Sequence, residues 1–128
     1  HFASNVVERF DVRSAGISAR ASSLSGGNLQ KFIVGREILQ TPKLLVAAHP
    51  TWGVDAGAAA AIHQALLDLA TEGACIIIVS EDLDELLMLA DRIAVLCDGR
   101  LSAPIPVTEA DATTLGMLMA GEPVDAAA

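Results

Sequence analysis

Three short stretches hold the residues with chemistry in them. The first is Leu24-Ser25-Gly26-Gly27-Asn28-Leu29-Gln30-Lys31. Ser25 is a good helix N-cap: its hydroxyl can accept one of the backbone N–H groups that a helix start leaves unpaired. Gly26 and Gly27 carry no Cβ, so another backbone or a phosphate can come close. The positive end of the helix dipole then faces whatever arrives. On these residue types alone, the stretch reads equally as an anion-binding helix start and as an ordinary capped helix entered through two glycines. The second stretch is Ala48-His49-Pro50-Thr51-Trp52-Gly53-Val54-Asp55. Asp55 is an N-cap candidate, Trp52 is the only tryptophan, and His49 has no His or Cys partner at metal-ligand spacing, so no metal site is expected. The third is Ser80-Glu81-Asp82-Leu83-Asp84-Glu85. An acidic run of this kind suits the first turn of a solvated helix.

Positioning these stretches requires alternating strands and helices. A helix is predicted over Ser25–Gln40, with Leu29, Phe32, Ile33, Arg36 and Leu39 at helical spacing and Pro42 as its stop. Leu44–Ala48 and Cys75–Val79 are short and almost wholly apolar, as expected of parallel strands covered on both faces. Between them a helix is predicted from Ala56 to Thr71, with Ile62, Leu66 and Leu69 inward and Gly73 just past its end. Ser80 is expected to cap a third helix, and Ile93–Cys97 to form a third strand ending at an Asp98-Gly99 turn. Pro104 and Pro106 mark a linker. Thr108 with Asp111 reads as the capping box of a last helix to about Ala120. Residues 122–128 read as a disordered tail. The order implies an α/β fold, a parallel sheet flanked by helices with right-handed crossovers.

Composition narrows the function classes. The 128 residues carry a formal charge of -8 and no Lys/Arg cluster, which argues against a nucleic-acid partner or an anionic membrane surface. Hydrophobic residues make up 52% and aromatic ones 3%, so aliphatic side chains must build the core. No apolar run approaches the roughly 18 residues of a membrane span, and no signal peptide opens the chain. Cys75 and Cys97 sit in apolar runs and read as buried free thiols of a reducing compartment.

Taken together, the eight residues from Leu24 to Lys31 resemble the signature motif of the ATP-binding cassette (ABC) ATPases, with Asn28 where Gln is commoner. The second stretch, with its preceding strand, resembles the Walker B strand running into the D-loop. Pro50, Thr51 and Asp55 match that pattern. Ala48 stands where an Asp supports Mg²⁺, and His49 where the catalytic Glu belongs. Ala has no ligand atom, and a position built for a carboxylate base is not obviously served by imidazole. Ile76-Ile77-Ile78-Val79-Ser80-Glu81 resembles the family's switch region, with Glu81 in place of a His, where its charge would repel a γ-phosphate.

No Gly-x-x-x-x-Gly-Lys-Ser/Thr phosphate loop occurs, nor a Q-loop region. The resemblance, spanning Phe10 to Gly121, is to the C-terminal half of one P-loop nucleotide-binding domain, without its Walker A strand. It implies a partial domain over residues 1–121, with the signature helix at 25–40 and the Walker B-like strand through the C-terminal helix at 44–120. In the family the Walker A strand lies between Cys75–Val79 and Ile93–Cys97. The chain alone is therefore expected to pair those strands directly, exchange elements between copies, or aggregate.

The wording of the motifs resembles one subgroup, the tandem ATPases of bacterial importers for simple sugars or nucleosides, whose second cassette is commonly degenerate. That resemblance implies that Ser25, Gly26, Gly27 and Asn28 touch a nucleotide held by the first domain, while Ala48, His49 and Glu81 leave this domain's own site non-catalytic. It implies ATP and Mg²⁺ in the full assembly, with none bound stably by this stretch, which alone is inactive. It implies the first nucleotide-binding domain and the transmembrane permease subunits as partners, and a cytoplasmic location at the inner face of the plasma membrane. Two other readings are a non-transport ABC ATPase of the DNA-repair or translation type, and an anion-binding scaffold domain.

Overall fold

The structure is a computed structural model that describes residues 1–122. The chain divides into two compact units, one of residues His1–Ser80 and one that begins at Glu81. The expected tail lies, apart from Glu122, outside the described residues.

In the first unit, helix α1 (Phe2–Arg9) leads through a loop and a short 3₁₀ turn at Ala21–Ser23 into helix α2 (Gly26–Ile38). Strand β1 (Leu44–Ala48), helix α3 (Ala56–Thr71) and strand β2 (Cys75–Val79) follow. β1 and β2 pair in parallel, with Leu44 opposite Cys75 and Ala48 opposite Val79. The strand–helix–strand unit is thus the crossover that the sequence predicts. Asp55 caps α3, accepting from the Ala58 N–H at 3.0 Å. Gly73, at φ +98°, sits just past its C-cap Glu72. Ile62, Leu66 and Leu69 are buried as predicted.

Three expectations here are corrected. α2 ends at Ile38 rather than Gln40, because Thr41 turns the chain with φ +47°. Its buried face is Lys31, Val34, Gly35 and Ile38, not the stripe through Phe32, Ile33 and Arg36. Gly35 decides this. The Phe10 ring lies where a Cβ on Gly35 would stand, so α1 packs directly on the α2 backbone there. A glycine that sequence patterning scores as neutral thereby becomes the centre of the helix contact. The strands, too, are not covered on both faces. Leu45 is buried and Ala47, Ile76 and Ile78 are half-buried, while Leu44, Val46, Cys75, Ile77 and Val79 are exposed. This alternation means that helices cover one face only.

The second unit contains helix α4 (Leu83–Leu89), four two-residue strands and helix α5 (Ala112–Met119). Asp82, not Ser80, caps α4 by accepting from the Glu85 N–H at 3.1 Å. The predicted strand Ile93–Cys97 is split. β3 (Arg92–Ile93) pairs antiparallel with β6 (Ile105–Pro106), and β4 (Leu96–Cys97) with β5 (Arg100–Leu101). The reason is local. Asp98 and Gly99 both take positive φ, +48° and +73°, which is the turn that closes a two-residue hairpin. Ser102 then binds both ways to Val95, its N–H donating to the Val95 carbonyl and its Oγ accepting from the Val95 N–H. Among the described residues β2 pairs with β1 alone. The predicted linker at Pro104 and Pro106 contains β6 and leads into a 3₁₀ turn at Val107–Glu109. Thr108 lies in that turn, so Asp111 alone caps α5, accepting from the Thr114 N–H at 2.6 Å. Both cysteines are free, but Cys75 is exposed and Cys97 half-buried, against the expectation of burial.

Candidate functional site

The start of α2 is built as a capped, open helix end. Ser25 Oγ accepts from the Asn28 N–H and, at 2.9 Å, from Asn28 Nδ2. Asn28 Oδ1 in turn accepts from the Arg13 N–H at 2.8 Å. One amide therefore ties the helix cap to the loop that feeds it. Leu29 N–H continues the helix to the Ser25 carbonyl. The N–H groups of Gly26 and Gly27 are left without an acceptor among the described residues. These are the orphan donors of a helix start.

The two glycines have different jobs. A Cβ on Gly26 would meet nothing within 4 Å. A Cβ on Gly27 would stand 2.8 Å from the Gly53 carbonyl oxygen. Gly27 is therefore required by the close approach of the loop after β1, and Gly26 is the open side of the turn. A helix start with two spare donors and an open Gly26 is of the kind that can hold an anion.

The loop after β1 is held through its main chain. His49 has φ +48°, an unusual conformation for a residue with a Cβ. Its N–H donates to the Val79 carbonyl at 2.7 Å, and its carbonyl accepts from the Trp52 N–H at 3.1 Å. Gln30, on α2, donates from Nε2 to the His49 carbonyl at 2.9 Å and to the Pro50 carbonyl at 3.0 Å. The His49 and Trp52 rings meet edge to face with centroids 6.2 Å apart. Trp52 is 80% exposed. At the far end of the loop, the Ala58 N–H holds the Asp55 carboxyl below its ordinary value, with the Lys31 charge adding in the same sense.

Two side chains that sequence reasoning left without a role matter here. Gln30 is one. The other is Lys31, whose Nζ donates to the Asp11 carbonyl at 2.9 Å while its side chain is buried. It takes up a carbonyl just past the end of α1, where a cation is favoured. Nothing in the spacing sets either apart from a solvated helix residue.

The structure thus brings Ser25, Gly26, Gly27 and Asn28 together at the α2 start, with Ala48, His49 and Asp55 on the strand end and loop beside it. Glu81 is the first residue of the second unit and is exposed. The strand end does not fit a Mg²⁺ ion: Ala48 offers no oxygen side chain, and hard cations need oxygen ligands. No trio of His, Cys, Asp or Glu that could hold a metal occurs among the described residues.

Comparison with known proteins gives the class. The fold matches the structure of the ATP-binding subunit of an ABC transporter with a TM-score of 0.78, at 20% identity over 90% of this chain and 51% of that one. The chain belongs to the ATP-binding cassette ATPases and carries part of that cassette, without a phosphate loop. It is similar to import proteins of that family. It is 44% identical to the nucleoside import ATP-binding protein NupA of Lactococcus lactis, over 93% of this chain and 24% of that protein. It is 48% identical to the glucose import ATP-binding protein TsgD13 of Haloferax volcanii, over 91% of this chain and 22% of that protein. The chain spans about a quarter of the length of these curated relatives. No family model matches it.

Proposed function

We propose that this chain is part of the ATP-binding protein of a sugar or nucleoside importer, in which it is a signature donor. Ser25, Gly26, Gly27 and Asn28 form the wall that closes on the γ-phosphate of an ATP held by the phosphate loop of another cassette domain, the first of a tandem pair. The domain's own Walker B and switch positions, Ala48, His49 and Glu81, do not support hydrolysis. Its partners are that first domain and the transmembrane permease subunits, and it works at the cytoplasmic face of the membrane. No helix among the described residues is long and apolar enough to cross a membrane, so contact with the permease is peripheral in this reading.

The observation that carries the proposal is the contrast between two ends. At α2, the helix start leaves the Gly26 and Gly27 N–H groups without an acceptor among the described residues, and a Cβ on Gly26 would meet nothing within 4 Å. At β1, the metal and base positions hold a methyl group and an imidazole whose backbone is fully engaged. The first end can bind the phosphate of a nucleotide; the second cannot position a metal for phosphoryl transfer. ATP and Mg²⁺ supply the phosphoryl chemistry when bound in the full assembly.

The test is ATP turnover by the full-length protein with its permease, comparing Gly26→Asp with His49→Ala. Gly26→Asp puts a carboxylate at the open side of the turn without a steric clash. Loss of turnover in that variant, with His49→Ala near wild type, supports signature donation. Equal damage from His49→Ala would show that His49 has replaced the missing carboxylate, and would overturn the reading.

A further inference from the structure

Gln30 occupies an unusual place. It lies on α2, one turn from Gly26 and Gly27, yet both hydrogen bonds of its side-chain amide leave the helix. Nε2 reaches the carbonyls of His49 and Pro50, 19 and 20 residues away, at 2.9 and 3.0 Å in a partly buried setting. His49 is the residue with a Cβ that takes positive φ in this loop. Its carbonyl already receives the Trp52 N–H. Three residues beyond Pro50, the Gly53 carbonyl passes over Gly27, and two further on Asp55 starts α3. Gln30 thus holds one end of a short loop whose other end lies against the signature turn.

We propose that Gln30 is the positioning residue that locks the loop Pro50–Asp55 to the signature turn, so that the two move as one body. The inference rests on the reading that the turn binds a phosphate. It adds a route by which that event reaches the strand ends: from the Gly26–Gly27 turn through the Gly53 carbonyl, then along the loop to His49, whose N–H is bonded to Val79. The left-handed backbone at His49 makes the grip necessary. A residue with a Cβ relaxes from that conformation unless its surroundings hold it. Two amide-to-carbonyl bonds and the Trp52 N–H do so.

The packing contribution of Gln30 is separable from its donors. Gln30→Met keeps the length and removes both bonds. Gln30→Lys restores a donor that can serve two acceptors. In the full-length protein with its permease, Gln30→Met is expected to lower kcat about tenfold with little change in the KM for ATP, in line with the loss of two partly buried bonds. Amide hydrogen exchange at Trp52 and Val54 rises in the same variant, and Gln30→Lys recovers both readouts. Turnover and exchange equal to wild type in Gln30→Met would overturn the proposal, as would a loss that Gln30→Lys does not recover. Gly26→Asp keeps the two ideas apart. If that variant turns over normally, the phosphate reading fails, while amide exchange in Gln30→Met still decides whether Gln30 holds the loop.

Discussion

Gly27 lies beneath the Gly53 carbonyl so closely that a Cβ on it would stop 2.8 Å from that oxygen. A helix start and a loop that follows a strand are therefore fitted backbone to backbone. Neighbouring Gly26 has no such constraint. Two adjacent glycines, identical in sequence, thus differ in setting: one is fixed by packing and the other is left open.

This difference is measurable without a nucleotide. Gly27→Ala must push the loop away and is expected to cost about 1–3 kcal/mol, the usual penalty for overpacking. Gly26→Ala meets nothing and leaves the thermal midpoint close to wild type. Thermal unfolding of the two variants side by side checks this, and equal midpoints would show that the contact at Gly27 is soft.

Gly26→Asp separates stability from function. A carboxylate in the first turn of a helix is favourable by about 0.3–1 kcal/mol. The variant is therefore expected to melt no lower than wild type while losing ATP turnover. A variant that loses both has been damaged structurally, and the loss of activity then says nothing of phosphate binding.

Asn28 carries the cap outward. Its side chain bonds Ser25 Oγ and the Arg13 N–H. Asn28→Ala removes both and is expected to cost about 1–2 kcal/mol. Asn28→Asp keeps the acceptor for Arg13 and should recover part of the loss. Melting temperatures of the two variants give the order.

Asp55 supplies a pH dependence with a definite sign. Its carboxyl is held below its ordinary value of 3.8 chiefly by the Ala58 N–H. A group whose folded value is depressed contributes stability above the unfolded value and loses it as pH falls through the folded one. Asp55→Asn keeps an acceptor for the cap and removes the titration. Its melting temperature should fall less steeply than wild type between neutral pH and the acid range below 3.8. Parallel profiles would show that the cap does not depend on charge.

The exposed face of β1 and β2 predicts self-association of this stretch when it is expressed alone. Val46 and Ile77 are paired in register, and both are about half exposed or more. With Leu44, Cys75 and Val79 they form an apolar patch of the kind that drives association. Val46→Lys with Ile77→Glu places opposite charges across the pair. Sedimentation is expected to show oligomers for the unaltered stretch and a monomer for the double variant. A monodisperse unaltered monomer would contradict this.

Local chemistry was the legible part of the sequence. Ser25 and Asp55 as caps, Gly73 as a helix end and Asp98-Gly99 as a turn all act within a few residues, and the structure places each as its residue type predicts. What depended on distant partners was not legible. The buried face of α2 is set by the Phe10 ring against Gly35, which no helical periodicity contains. The split of Ile93–Cys97 combines the Asp98-Gly99 turn, which was legible, with the bonds made to Val95 by Ser102, a residue that forms no pattern with the strand. Within the site, the capped helix start at Ser25 was visible because glycines and a cap announce it. Gln30 was not, since its acceptors are main-chain carbonyls of another element, and main-chain carbonyls have no signature in sequence.

The grip of Gln30 on carbonyl oxygens has a consequence for how this domain can vary. The hydrogen bonds that His49 makes to Val79, Trp52 and Gln30 all use its main-chain atoms, which any amino acid but proline would supply. The scaffold of the loop is thus indifferent to the side chains it displays. Chemistry can be exchanged at residues 48 and 49 while the outline offered to a neighbouring domain stays the same, so a cassette can lose its reaction and keep its grip on the partner.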